Sequence, residues 1–175
     1  LFIAVDDEDR QNERDLIMAA SQVTPEVVAF IVKHGTEIVF VAMKEEDINR
    51  LELPLMVPEK ENEEKILTAF TFNCDVSATD RANTILALAT PGSKPGDFRR
   101  PGHIFPLKYR QGGSLKRVGH TEASVDLATL SGLTSAAALS EIVNDDSSMA
   151  CLQILQELAK QHNLPLITIA AVVMY

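Results

Sequence analysis

Short apolar runs rich in β-branched residues alternate with helix-patterned segments along the whole chain, which restricts it to a sheet flanked by helices. LFIAV at the start reads as a strand. It enters a charged segment over 6–15 that is too polar for a core, and the apolar pattern resumes over 16–20. Thr24-Pro25-Glu26 is a helix start, with a hydroxyl cap, proline at the first helical position and an acid favoured by the helix dipole. Val27, Val28, Phe30 and Ile31 give that helix its apolar face, and Gly35 ends it. A buried strand is expected over 38–42, a short helix over 45–51, a charged loop over 60–65 and an alternating strand over 68–73. Beyond them, Thr79 is read as the cap of a helix running to Thr90, and 91–96 is a Gly- and Pro-rich loop. The remaining expectations are a helix over 121–130 ended by Gly132, a small-residue strand over 136–143, an amphipathic helix over 149–162 and a last strand over 166–169. The fold class is α+β, a mixed sheet with flanking helices.

At 175 residues and 46% hydrophobic, the chain suits one domain over 1–175. The strand-like LFIAV has neither the basic flank nor the apolar length of a signal peptide. It reads as a strand entered near its start, so a fragment missing a presequence or first helix is expected. No apolar run approaches the roughly 20 residues that cross a bilayer, and no membrane partner is expected. A formal net charge of −9 excludes a general nucleic-acid binder, yet a few local cations suffice to hold a small phosphorylated substrate. Cys74 and Cys151 lie far apart without CxxC spacing and read as free thiols of a reducing compartment.

Four stretches have residues suited to chemistry. The first is Asp6-Asp7-Glu8-Asp9-Arg10-Gln11-Asn12-Glu13-Arg14-Asp15. Acids on a loop at a strand's end can hold a hard divalent cation and a polar substrate, although by composition alone the run reads first as a solvated surface turn. The second, Arg100-Pro101-Gly102-His103-Ile104, sets a histidine in a Pro-Gly turn before a strand, placed to project. In the third, Arg117-Val118-Gly119-His120-Thr121, a cation, a hydroxyl and the N–H groups of a helix start form a phosphate cradle with an imidazole beside it. A capped helix with a surface histidine fits the same residues. The fourth is Glu141 in an apolar strand, where an unpaired carboxylate is costly and its acidity open to tuning.

In this order, together with RPGHIFPL, GHTEA and the stretches around His34-Gly35, 53–56, 77–81 and 167–169, the sequence strongly resembles 3,4-dihydroxy-2-butanone 4-phosphate synthase. It looks nearest to the first domain of the bifunctional plant riboflavin enzymes. The resemblance implies that D-ribulose 5-phosphate is converted to L-3,4-dihydroxy-2-butanone 4-phosphate and formate, with Mg²⁺ or Mn²⁺ at a two-metal site. By position, Arg10 and Asp15 match substrate-binding residues, as do Arg117, Val118, Gly119, His120, Thr121 and Glu141. Gln11 and His120 match metal positions, and His103, Glu141, Asp6 and Glu13 match the catalytic and other functional residues. A homodimer with the site near its interface, a companion GTP cyclohydrolase II domain and a plastid stroma location (cytoplasm outside plants) are implied in the same way.

The departures from that pattern are specific. Gln11 stands at a glutamate position; an amide oxygen still coordinates but brings no charge. A loss of about 2 kcal/mol would weaken metal binding some thirtyfold. Arg14 and Glu37 replace glycines, Phe40 a cysteine, Ser147 a turn glycine and Cys151 an arginine. A Gly- and Thr-rich loop is lacking between Asp75 and Val76. A weakened lyase is the expectation, and a catalytically inactive paralogue acting as a dimerising or regulatory domain is the alternative.

Overall fold

The computed structural model describes residues 1–6, 13–57, 77–144, 146 and 148–175. The expected loop over 60–65, the strand over 68–73, Ser147, Cys74 and the junction of Asp75 with Val76 lie outside those residues.

Six strands form one mixed sheet: β1 (Phe2–Val5), β2 (Arg14–Ala19), β3 (Val39–Met43), β4 (Ile104–Lys108), β5 (Ala136–Glu141) and β6 (Leu166–Thr168). Their order across the sheet is β4-β3-β5-β2-β1-β6. The β1–β6 and β3–β4 pairs are parallel and the rest antiparallel. The central strand β5 is built from alanines, and its alternating side chains feed two cores. Ala136 and Ala138 join the larger core with Ile3, Leu16, Val28, Ile31, Val41, Ile85 and Leu155. Ala137 and Leu139 join the smaller one with Ala4, Ile17, Ala42, Leu107 and Val125. Fully burying an aliphatic side chain such as Ile31 stabilises by roughly 1.5–3 kcal/mol.

Helices α1 (Pro25–His34), α3 (Ala78–Leu88) and α5 (Leu152–His162) supply the larger core; α4 (His120–Leu130) supplies Val125 to the smaller one and also packs against α6 (Ile169–Met174). A short α2 (Glu45–Arg50) follows β3. The start of α1 is as the sequence dictates: the Val27 N–H donates to Thr24 Oγ1 at 3.3 Å, with Pro25 in the first turn. Ser77, rather than Thr79, caps α3, accepting from the Asp80 N–H at 3.1 Å. The helix expected from 149 begins only at Leu152, and β5 stops at Glu141, after which Val143 bridges to Met149. The chain after β6 turns into α6, capped by Thr168 Oγ1, where a strand alone was expected.

Gly35 leaves α1 where no side chain fits, since a Cβ there would lie 2.6 Å from Ser140 Oγ and 2.8 Å from the Glu141 carbonyl oxygen. Glu37, at one of the family's glycine positions, sits at φ 66 while its carbonyl accepts from Arg81 Nη1 at 2.9 Å. The left-handed region disfavours a residue with a Cβ, so Glu37→Gly is expected to stabilise the chain by about 1 kcal/mol, read as a higher urea midpoint. An unchanged or lower midpoint would contradict this. Arg14 behaves otherwise: it opens β2 opposite Val5 and is buried, so no left-handed glycine geometry is at stake there.

Candidate functional site

Strand register gathers the acids. Asp15 on β2 lies opposite Glu141 on β5, and Ala4 on β1 lies opposite Asp15. His103 immediately precedes β4, on one side of β3, and Glu141 ends β5 on its other side, its carbonyl oxygen accepting from the Thr36 N–H at 2.9 Å. Side chains two apart on a strand share a face. Asp15 therefore shares the face of Ile17, Glu141 that of Leu139, and Asp6 that of Ala4, all members of the smaller core. This is the face on which α4 lies, so its first residue, His120, comes to the same end of the sheet.

Burial overturns the solvated-turn reading for the ends of the acidic segment. Asp6, Arg14 and Asp15 are all buried, as is His120, which removes the surface-histidine alternative. Residues 7–12, with Arg10 and Gln11, lie outside the described residues. His103 is exposed and precedes β4, after the cis Arg100–Pro101 bond.

The buried groups perturb one another. Desolvation chiefly, with the neighbouring charges of Asp15 and Glu141, pushes the Glu13 carboxyl up to about 7. Asp15 is raised well above its ordinary value by burial first, then by Glu141 and Asp6. His120 is held below the ordinary imidazole value because burial outweighs the attraction of Asp6 and Glu13. Neither ring nitrogen of His120, nor Asp15 Oδ1, has a hydrogen-bond partner among the described residues. A buried, neutral imidazole offers the lone pair that a metal ligand requires, and the Ala4 backbone lies close enough to interact with the ring, so the donor chemistry fits a divalent ion. Among the described residues no group of three or more His, Cys, Asp or Glu is arranged to hold a metal by itself.

The raised Glu13 has a testable consequence. Its folded value lies above the unfolded one near 4.5, so folding favours the protonated acid and its contribution is lost as pH rises through about 7. Glu13→Gln should therefore gain on the parent chain between pH 5 and pH 8, by about 1–2 kcal/mol after allowance for solvent screening. His120 shifts in the opposite sense but is common to both proteins. Melting curves with equal pH slopes would contradict the assignment.

A second group of residues holds the segment before α4. Arg117 Nη1 donates to Glu122 Oε2 at 2.7 Å, and the Arg110 N–H donates to Glu122 Oε1 at 3.1 Å. One turn later, Asp126 Oδ2 accepts from both the N–H and Oγ of Ser114 at 2.7 Å, and Tyr109 donates to Oδ1 at 2.9 Å. Burial and that bond push the Tyr109 hydroxyl up to about 12. Gly119 permits the arrangement, because a Cβ there would come within 2.6 Å of Arg117 Nη1. No side chain caps α4; Gly119 is its N-cap, followed by His120 and the buried Thr121, while Val118 is half-buried. The sequence reading took Arg117 as a phosphate cation and missed Glu122 and Asp126. Only their spacing, four apart on a helix that follows a Gly-rich loop, hinted at them.

The family model described as 3,4-dihydroxy-2-butanone 4-phosphate synthase matches residues 1–175. The chain belongs to that family. A probable bifunctional riboflavin biosynthesis protein of Oryza sativa subsp. japonica, named chloroplastic, is 66% identical over 182 residues, covering 99% of this chain and 34% of the relative. A monofunctional riboflavin biosynthesis protein of Arabidopsis thaliana, also named chloroplastic, is 61% identical over 183 residues, covering 100% of this chain and 38% of the relative. The chain thus spans about a third of these relatives' length, and aligned lengths beyond 175 mean that they have residues this synthase-family chain lacks. The crystal structure of a 3,4-dihydroxy-2-butanone 4-phosphate synthase in complex with two magnesium ions superposes with a TM-score of 0.87 at 36% identity. That match covers 97% of this chain and 87% of that one.

Proposed function

We propose that this chain converts D-ribulose 5-phosphate to L-3,4-dihydroxy-2-butanone 4-phosphate and formate in riboflavin biosynthesis, with divalent-metal affinity weakened by Gln11. The observation that carries the reading is the row of Asp15 and Glu141 beside Asp6, Glu13 and the unsatisfied His120. His120 and Gln11 would hold Mg²⁺ or Mn²⁺, two ions per site as the family resemblance implies; a related synthase has been solved in complex with two magnesium ions. Once bound, the metal would stabilise negative charge developing on the oxygens of the enolised sugar.

The chain's own groups supply the rest. Arg10 and Asp15 orient the sugar, and the segment Arg117-Val118-Gly119-His120-Thr121 receives the phosphate on α4's uncapped N–H groups and the guanidinium. Glu122 fixes that guanidinium. Glu13 and Asp15, raised by burial, keep protons available near neutral pH. Glu141 and His103, at the same end of the sheet on either side of β3, move protons during enolisation, water loss, rearrangement and carbon–carbon cleavage. The names of the relatives support a plastid location and, for those called bifunctional, a longer protein with a second activity, which we read as GTP cyclohydrolase II. A homodimer completes the reading.

The purified chain with ribulose 5-phosphate and Mg²⁺ should release formate, and Gln11→Glu should raise the rate about tenfold or more at limiting Mg²⁺. No turnover in either protein would favour the inactive paralogue instead.

A further inference from the structure

Apart from His120 and His103, the chain's other two histidines are paired. His34 ends α1 and His162 ends α5, and their ring centroids lie 5.4 Å apart with planes at 59°. We propose that His34 and His162 form a two-imidazole site for a late first-row divalent ion such as Zn²⁺, clamping the end of α1 to the end of α5.

Geometry is the first support. Two imidazoles bound to one ion at about 2.0–2.1 Å in a tetrahedral arrangement place their ring centroids about 5.2 Å apart. The observed centroid spacing of 5.4 Å is compatible with that value. The second support is electrostatic: both residues lie in the last turn of a helix, where the carbonyl ends direct partial negative charge at a cation. The third is positional. Phe30 packs on both imidazoles, with centroids 4.5 Å from His34 and 4.8 Å from His162, and forms an apolar wall that limits rotation of the rings. His162 is exposed, so solvent can complete the coordination. Burial, His162 and Lys33 hold His34 below the ordinary imidazole value, which keeps the neutral, ligating form at physiological pH. Lys33 and Lys160 are exposed, and their repulsion of a cation is screened by water. Imidazole donors with open positions select zinc or copper over magnesium, separating this pair from a site for hard cations.

A bound ion would act beyond the pair. Past His34 the chain passes Gly35, which bridges to Ile142, and the Thr36 N–H donates to the Glu141 carbonyl oxygen at 2.9 Å. Fixing the end of α1 therefore stiffens the backbone that positions Glu141.

The test uses the tag-free chain with His120→Leu, which silences the candidate metal centre, and Zn²⁺ alone as the probe. The imidazole ¹⁵N resonances of His34 and His162 should shift together, and Zn²⁺ should raise the melting temperature by several degrees. His162→Gln, at an exposed position where only the contacts with Phe30 and His34 are lost, should weaken Zn²⁺ affinity at least tenfold, and His34→Gln should do the same. Affinity within twofold of the parent in His162→Gln, a shift confined to one imidazole, or no Zn²⁺ binding would each overturn the proposal.

Discussion

Glu122→Leu should destabilise the chain by about 3–5 kcal/mol, lowering the melting temperature by roughly 10 °C. Glu122 is 1% exposed and receives a bond at 2.7 Å from Arg117, whose side chain is itself only 14% exposed. Removing the carboxylate leaves a guanidinium in a site from which water is largely excluded, and it also strips the Arg110 N–H of its acceptor. The loss therefore exceeds what a surface ion pair contributes, which is at most about 1 kcal/mol. Arg117→Met in the same background should recover much of the stability without recovering phosphate affinity, because the charge that the Glu122 carboxylate balanced is then gone as well. A single-variant loss below about 1 kcal/mol by urea denaturation would show that the pair is not holding the segment before α4.

His120→Leu has the opposite signature. The imidazole is buried, neither nitrogen makes a well-formed hydrogen bond among the described residues, and only a weak interaction with the Ala4 backbone offsets its burial, so in the metal-free chain it is a net liability. An apolar side chain of similar volume should leave the metal-free protein as stable as the parent, or more stable by about 1–3 kcal/mol. Formate release should nevertheless fall at least a hundredfold, since the position supplies a metal ligand in the proposed reaction. Opposite changes in stability and turnover distinguish a functional histidine from a core one. A variant that loses stability and activity in parallel would contradict the assignment.

What could be read from the sequence was local. The start of α1 is written in Thr24-Pro25-Glu26, and its end in Gly35. The strand at LFIAV and the helix entered at His120 follow from short-range pattern in the same way. The acid cluster could not be read so directly, because it depends on the β2–β5 register, a pairing between residues far apart in sequence that sets Asp15 against Glu141. Composition suggested that the charged segment was too polar for a core, yet Asp6, Arg14 and Asp15 are buried at the sheet's end, where the acids face His120. Near the C-terminus, ITIAAVVM fits a strand or a buried helix by apolar content alone, and the Thr168 cap decides for the helix after three residues of strand. The glycine positions taken by Glu37 and Arg14 looked equivalent. Only Glu37 has a left-handed backbone, a distinction that depends on φ and not on residue type.

The central claim is that His120 and the acidic segment around Gln11 gather one divalent centre. Water-proton relaxation with Mn²⁺ measures that binding directly in the parent chain, in Gln11→Glu and in His120→Leu. Binding should tighten about thirtyfold in Gln11→Glu, the restored carboxylate being worth about 2 kcal/mol, and should disappear in His120→Leu. Equal Mn²⁺ affinity in all three proteins would contradict it.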